Sequence, residues 1–207
     1  VPLKPDDVAC FVFWSKNYAP FMQKLKRIED MGYDKFYFHY TITGMPKLFE
    51  SNLPDLKHLI SNITKLSKLY SSNRVIWRYD PIILSNITGY KYHLQTFKTL
   101  CKQLEGNTLK CYFSFVMRYG KVNRSFTKIQ NEHHITITDP ETKLRINLAN
   151  ELAAIAAGHK IGLYTCCGDV LINNQIKKAH CIDGNLIKEL FNEPNELDFK
   201  IKPTRKE

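Results

Sequence analysis

Short apolar runs alternate with amphipathic helical segments about five times along the chain, and this alternation restricts the fold more than any other feature. The runs are rich in β-branched and aromatic residues, as in VACFVFW, KFYFHYTIT, RVIWRYD, LKCYFSFV and IGLYTCC. Strands that are apolar throughout are buried on both faces, which is typical of parallel sheets with helical crossovers. The pattern predicts an α/β fold with outer helices.

An open doubly wound sheet and a barrel both satisfy this pattern. About five βα units are too few for a complete eight-fold barrel. The segment FWSKNYAP after the first strand lacks a glycine-rich loop, which disfavours a Rossmann nucleotide site. We therefore predict a partial (β/α) TIM-like barrel of parallel strands, forming a single domain over residues 1–207. We expect a helix as far as Lys128 within a polar insertion near 118–142, and helix caps at Asn52 or Asp55 and at Asp183 or Asn185.

Charge and cysteine content restrict the partners and the compartment. The net charge of +10 favours an anionic partner such as a nucleic acid, although a basic excess spread over a solvated surface is the alternative. Six cysteines in 207 residues are too few for a disulfide scaffold, so we expect reduced thiols and a cytoplasmic protein. No apolar run approaches the roughly 20 residues of a membrane span, so we expect no membrane partner.

Polar residues collect where the predicted strands end. In parallel α/β folds, the loops at the carboxyl ends of the strands build the active site. The residues concerned are Lys16 and Asn17 after the first strand, His39, Thr41 and Thr43 on the second, Arg78 and Asp80 on the third, Ser114 on the fourth, and Thr165, Cys166 and Cys167 on the fifth. We therefore predict a functional site along this edge of the sheet.

Arg78 and Asp80 are the most informative of these residues. They are two positions apart, so they point to the same face of the strand, while Pro81 is predicted to end the strand pairing. An arginine in such a pocket can bind a carboxylate or a phosphate through two hydrogen bonds. The aspartate could orient the arginine, accept a hydrogen bond from a ribose hydroxyl, or bind a metal. A purely structural ion pair is the alternative. Lys16 is equally well explained as a solvated loop residue.

Cys166 and Cys167 lie at a strand end and Cys181 lies before a helix, where thiolates are favoured and soft metals can bind. Their spacing matches no zinc finger, and two or three cysteines do not complete a four-ligand site. The other cysteines and histidines are better explained by structural roles than by metal binding. Buried inert thiols are expected at Cys10, Cys101 and Cys111, a core histidine at His39, and surface histidines at His133 and His134.

Several motifs occur together in one order: CFVFWSKNYAPFM, FYFHYTITG, RVIWRYDPIIL, LKCYFSF, LYTCC and AHCIDGNLIKELF. In this order they resemble the bacterial domain-of-unknown-function family eighteen forty-eight, over nearly the whole chain. That family is similar to radical-SAM iron–sulfur proteins related to spore photoproduct lyase. Its members also carry a first segment like SRRTDIPAFY and a cysteine-rich tail with CGC and CxxxCxxC, both lacking here. We therefore expect the chain to be part of a longer protein.

The resemblance also implies roles. The complete protein would carry a [4Fe–4S] cluster and S-adenosylmethionine, and Cys166 and Cys181 would be ligands of an auxiliary cluster. Arg78 and Asp80 would be catalytic residues. Groups at the barrel mouth would hold adenosylmethionine or substrate, namely Lys16, Asn17, Thr43 and Ser114. The 207 residues alone are not expected to hold the three-cysteine cluster.

The sequence is compatible with three candidate functions. The first is the core barrel of a radical-SAM-like iron–sulfur protein that binds S-adenosylmethionine and a small-molecule or nucleic-acid substrate. The alternative is a basic nucleic-acid-binding barrel without catalysis, based on the charge of +10 and the aromatic content of 12%. A hydrolase with a metal held by Asp80 and histidines is disfavoured, because the sequence has no compact histidine–carboxylate cluster.

Overall fold

Parallel strands form the centre of the protein in the computed structural model, which describes residues 4–191. The strands are β1 (Phe11–Ser15), β2 (Phe36–Thr41), β3 (Val75–Ile82), β4 (Leu84–Ser85), β5 (Lys110–Phe115), β6 (Ile137–Thr138), β7 (Gly162–Thr165) and β8 (Ile176–Lys178). The helices are α1 (Ala19–Asp30), α2 (Leu56–Tyr70), α3 (Tyr90–Leu104), α4 (Gly120–His133), α5 (Thr142–Gly158) and α6 (Gly184–Phe191). Within this range, none of the helices is long and apolar enough to cross a membrane.

The main sheet has six strands in the order β1-β2-β3-β5-β7-β8, and every neighbouring pair is parallel. Each strand therefore lies beside the next main-sheet strand of the chain, while β4 and β6 form a separate antiparallel pair. In the described part, β1 and β8 lie at opposite edges, so the sheet does not close on itself. The predicted α/β class with a parallel sheet is confirmed, and the sheet is open within residues 4–191.

Four helices cover one face of the sheet. Their apolar stripes meet the strands in a single buried cluster, which includes Leu25 of α1, Ile63 of α2, Phe97 of α3, Leu152 of α5 and Trp77 of β3. The rings of Trp77 and Phe97 are stacked, with centroids 4.9 Å apart. Burial of each such side chain contributes about 1.5–3 kcal/mol, so this cluster supplies most of the hydrophobic stabilisation.

On the opposite face of the sheet, α6 covers only the first halves of the strands. Leu186 and Ile187 of this helix pack on Tyr37, Ile76 and Tyr112, which lie in the first halves of their strands. Residues further along the same faces of these strands are more polar, because period-two alternation places His39, Arg78 and Ser114 there. A polar area thus remains at the carboxyl ends of the strands.

Two of the predicted helix caps are present. Asp55 precedes α2, and its side chain accepts a hydrogen bond from the His58 backbone N–H at 2.9 Å. Asp183 precedes α6, and its Oδ1 accepts from the Leu186 N–H at 3.1 Å. Such caps satisfy amide groups that have no partner inside the helix, and each is worth about 1 kcal/mol.

Pro81 does not end β3, contrary to the prediction. The strand runs on to Ile82, and its register against β5 shifts between Tyr79 and Ile82. Pairing resumes beyond the proline, since the Val116 N–H donates to the Ile82 carbonyl at 3.0 Å. A shift of this kind accommodates a residue that has no N–H for the ladder.

The segment near 118–142 has more structure than a polar insertion. Its helix extends past the predicted end at Lys128 to His133. Phe126 of that helix is buried with Ile83 and Ile137, and β6 pairs with β4. The short strands β4, β6 and β8 were not predicted, because they are only two or three residues long and carry no readable alternation.

Candidate functional site

An ion pair between Arg78 and Asp80 lies near the end of β3. Arg78 donates from Nε to Asp80 Oδ1 at 3.1 Å and from Nη2 to Oδ2 at 2.5 Å. The side chains are only 10% and 14% exposed, which separates this pair from solvated surface pairs. Their shared face confirms the period-two argument made from the sequence.

The same guanidinium reaches two cysteines. Nη2 lies 3.3 Å from the sulfur of Cys166, and Nη1 lies 3.9 Å from the sulfur of Cys181. Cys166 follows β7 directly, and Cys181 lies in the loop before α6, so the fold brings them together from separate segments. We call Arg78, Asp80, Cys166 and Cys181 the cysteine–arginine cluster.

The charges in this cluster stabilise one another. Burial opposes the charge of Arg78, but hydrogen bonds and attraction from Asp80 outweigh it and raise the pKa of the guanidinium. A hydrogen bond from the Cys166 thiol, followed by the effect of Arg78, lowers the pKa of Cys181. The bond to Cys181 and burial raise the pKa of Cys166. The contacts with Arg78 therefore favour a negative charge on the sulfur pair.

His39 fixes the backbone beside Cys181. Its Nε2 lies 3.0 Å from the Cys181 carbonyl oxygen, which only accepts, so Nε2 carries the proton. Burial and then the charge of Arg78 lower the pKa of His39 to about 3, so the ring is neutral near pH 7. Trp14 stacks on the ring at 4.9 Å and remains 47% exposed. His39 is thus a buried positioning residue, as expected for a core histidine.

Two buried polar atoms on this face have no hydrogen-bond partner among the residues that the structure describes. They are Nδ1 of His39 and the hydroxyl of Tyr112, in rings whose centroids are 5.4 Å apart. Both residues are fully buried, at 0% exposure. Buried polar groups are nearly always paired, so two such groups beside the cysteine–arginine cluster favour a functional rather than a purely structural face.

Glu50 brings together two of the other predicted site residues. Lys16 Nζ lies 2.5 Å from Glu50 Oε1, and the Thr43 hydroxyl donates to Oε2 at 2.7 Å. We call these three residues the Glu50 cluster. Glu50 was not predicted, since it lies in the loop between β2 and α2 and no periodicity marks a loop residue that reaches back to a strand end.

Asn17 and Ser114 belong to neither the cysteine–arginine cluster nor the Glu50 cluster. The Asn17 side-chain oxygen accepts from the Ala19 N–H at 3.1 Å and so stabilises the start of α1. Ser114 is half-buried on β5, one residue beyond Phe113, whose carbonyl accepts from the Cys166 N–H at 2.9 Å. Ser114 therefore lies next to Cys166, whereas Asn17 has a local structural role.

Two cavities lie at opposite ends of the sheet. One of about 190 Å³ is lined by residues that include Gly44, Met45 and Glu50, at the carboxyl end of β2. The other, of about 430 Å³, lies beside the starts of β1 and β2 and is lined by Val8, Phe11 and their neighbours. Parallel α/β folds bind ligands at the carboxyl ends of their strands, so the smaller cavity is the relevant one.

The donor set fits part of an iron–sulfur site. Cys166 and Cys181 offer two sulfurs, one of which is stabilised as an anion, and thiolates are the ligands that iron–sulfur clusters require. A complete cubane cluster takes about three or four of them. In residues 4–191 no group of three or more metal-ligating side chains occurs, so these two residues would be only part of a ligand set.

These observations define an α/β protein with thiol and arginine groups at the carboxyl ends of a parallel sheet. The chain belongs to the family described as "Domain of unknown function (DUF1848)", whose model matches residues 1–207. The family resemblance seen in the sequence is thereby confirmed. Comparison of the chain with curated proteins and with solved structures found no match in either set.

Proposed function

We propose that this chain is the core of a radical-SAM-type iron–sulfur protein, with Cys166 and Cys181 as two of the cluster ligands. The observation that carries the proposal is the convergence of both sulfurs on one buried guanidinium, at 3.3 and 3.9 Å. Soft metal centres need deprotonated sulfurs, and Arg78 lowers the cost of holding a charge on this pair.

The proposed architecture is a partial barrel open at one side. It is supported by the consecutive order of the six strands and by the location of α1, α2, α3 and α5 on one face. In such an arrangement the cysteine–arginine cluster lies on the inner face, near the carboxyl ends where α/β enzymes bind their substrates. We place this protein in the cytoplasm, where thiols stay reduced.

Arg78 and Asp80 are proposed to orient the bound groups. Asp80 holds the guanidinium in one direction, so its other donors stay directed toward the sulfurs. When bound, the cluster would supply the electron for reductive cleavage of S-adenosylmethionine. The protein's own contribution is to position the reactants and to exclude water from the inner face.

The Glu50 cluster is the proposed binding region for the adenosylmethionine or the substrate. It places a carboxylate, an ammonium group and a hydroxyl beside the cavity of about 190 Å³. Adenosylmethionine carries both an ammonium and a carboxylate, so Glu50 and Lys16 are complementary to it in charge. Ser114 lies on the neighbouring strand, next to the cysteine–arginine cluster. We propose it as a further binding residue for the adenosylmethionine or the substrate.

Iron and acid-labile sulfide per chain test the proposal. We would prepare the complete gene product and the 207-residue chain without oxygen, and reconstitute both. We expect about four or eight irons in the complete product. Cys166→Ser and Cys181→Ser should each lower the iron content of that product, because each removes one thiolate ligand.

Cys167→Ser is the matched control, because Cys167 is adjacent to Cys166 in the sequence and is not one of the two proposed ligands. It should bind as much iron as the unmodified protein. If both the Cys166 and the Cys181 variants keep full iron, these residues are not ligands. If the complete product takes up no iron at all, the radical-SAM assignment is wrong.

A second candidate function is nucleic-acid binding, and one feature of α4 favours it. Lys121, Arg124 and Lys128 lie on one face of this helix and are exposed, and Tyr119, just before it, is 60% exposed. Basic side chains next to an exposed ring suit a single-stranded nucleic acid. Binding of a labelled oligonucleotide should then weaken steeply with salt and with Arg124→Glu; undetectable or salt-insensitive binding would reject this candidate.

A further inference from the structure

The sulfurs of Cys166 and Cys181 are neighbours as well as potential ligands. Both sulfurs contact the guanidinium of Arg78, with Nη2 3.3 Å from Cys166 and Nη1 3.9 Å from Cys181, and both cysteines are free in the structure. A pair of adjacent reduced thiols can be oxidised to a disulfide if the backbone lets the sulfurs approach. This chemistry requires no metal.

The backbone around the pair is well anchored. The Cys166 N–H donates to the Phe113 carbonyl at 2.9 Å, which fixes this cysteine against β5. The Cys181 carbonyl accepts from His39 Nε2 at 3.0 Å and from the Tyr37 hydroxyl at 3.4 Å. Both cysteines are thus held at fixed backbone positions on either side of the Arg78 guanidinium.

The two thiols differ in access. Cys181 is exposed, whereas Cys166 is half-buried. Arg78 contacts both sulfurs, and Asp80 prevents the guanidinium from turning away. A cation in this position stabilises negative charge on whichever sulfur attacks or leaves, which is the condition for thiol–disulfide exchange. The exposed cysteine is therefore the attacking group and the buried one the resolving group.

We propose that Cys166 and Cys181 form a dithiol–disulfide exchange site that reduces small organic disulfides. The Cys181 thiolate attacks one sulfur of the substrate, forming a mixed disulfide and releasing the first thiolate. Cys166 then gives up its proton and attacks the Cys181 sulfur, which releases the second thiolate. The protein loses two electrons and becomes the Cys166–Cys181 disulfide, and the substrate takes up two protons to become two thiols.

This site goes beyond the proposed function and does not rest on it. The exchange needs only the two sulfurs and Arg78, so it operates in the metal-free chain. A closed disulfide has no thiolates to offer a metal, so the two activities exclude each other in one molecule.

The test uses the metal-free 207-residue chain with bis(2-hydroxyethyl) disulfide as the substrate. After the reaction, the remaining thiols are alkylated in denaturant and located by peptide mass spectrometry. We expect two of the six thiols to be lost, with a peptide cross-link between Cys166 and Cys181 that dithiothreitol reverses.

Single variants identify the order of attack. Cys166→Ser should stop at a mixed disulfide on Cys181, with a mass increase of one hydroxyethylthio group. Cys181→Ser should leave Cys166 unmodified over the same time. Cys167→Ser should form the cross-link at the unchanged rate. Arg78→Met should slow the first step about tenfold, and Arg78→Lys should restore part of the rate, because a lysine supplies the positive charge without the planar fork.

A chain that keeps all its thiols, or that links either cysteine to Cys167 instead, would overturn the exchange site. The same would follow if Cys166 were modified before Cys181. Iron content is measured separately on the reconstituted protein, so its loss or retention decides only the ligand proposal. The two claims therefore fail independently.

Discussion

Arg78 and Asp80, two residues apart on β3, form a two-pronged ion pair with N–O distances of 3.1 and 2.5 Å. This pair directs the rest of the guanidinium toward Cys166 and Cys181. A planar arginine fork suits such an arrangement better than a lysine, whose ammonium is a single point charge. The pair thus links the fold of β3 to the chemistry of the two sulfurs.

Asp80→Ala should destabilise the protein strongly. It leaves the Arg78 guanidinium, with a side chain 10% exposed, without its carboxylate partner. Removal of one partner from a buried pair costs about 3 to 5 kcal/mol of the free energy of unfolding. Urea denaturation measures this loss, with Asp30→Ala in the exposed Lys26–Asp30 pair as the control. Equal midpoints for the two variants would contradict a buried, structurally coupled pair.

Stability at mildly acid pH should depend on His39. Its pKa falls from the ordinary 6.5 to about 3 in the folded protein, through burial and then Arg78. Between these values the unfolded chain binds a proton that the folded chain does not, so the free energy of unfolding falls as the pH drops. The contribution is up to about 1.4 kcal/mol per pH unit.

The measurement is the free energy of unfolding in urea between pH 6.5 and 5, above the range where most carboxylates titrate. His39→Gln keeps an N–H for the Cys181 carbonyl but removes the titrating ring. The variant should therefore lose less stability per pH unit than the parent protein. His93, whose pKa burial also lowers, is present in both chains and cancels in the comparison. Identical slopes would show that His39 does not titrate as described.

Glu50→Ala should destabilise the loop after β2 more than Lys16→Met does. Thr43 is only 3% exposed, and without Glu50 its hydroxyl loses the acceptor at 2.7 Å, at a cost of about 1–3 kcal/mol. Lys16 is 42% exposed, so its pairing is worth less than about 1 kcal/mol. Thermal unfolding of both variants checks the order, and a larger loss for Lys16→Met would reverse the assignment.

Gly44→Ala should destabilise the protein more than Gly106→Ala. Both glycines have positive φ, at +64° and +76°, so alanine strains the backbone at either position. At Gly44 the new Cβ would also lie 2.6 Å from Thr96 Cγ2, whereas nothing lies within 4 Å at Gly106. Urea midpoints of the two variants separate the clash from the strain. Equal losses would mean that Thr96 moves aside freely.

The order and type of the larger elements could be predicted from sequence, because burial on two faces imposes a pattern that each strand carries by itself. Period-two alternation likewise placed Arg78 and Asp80 on one face. Sequence-based prediction failed where the pairing of a strand depends on segments that are distant in the sequence. Pro81 within β3 is tolerated only because β5 shifts register beside it, and β8 is three residues long with two lysines.

The candidate site was predictable only in part for a similar reason. Cys166 and Cys181 were recognised as a pair through family resemblance, and the guanidinium that joins them became visible only in the folded chain. Glu50 was missed, because its partners Lys16 and Thr43 belong to other segments. Contacts between loops and strand ends leave no local signature in a single sequence.

An anomalous difference map at the iron absorption edge, from crystals of the reconstituted complete protein grown without oxygen, would show directly whether the two cysteines bind iron. We expect iron density at bonding distance from the sulfurs of both Cys166 and Cys181. Iron bound only elsewhere, or no iron density in a crystal whose cysteines are well ordered, would contradict this expectation.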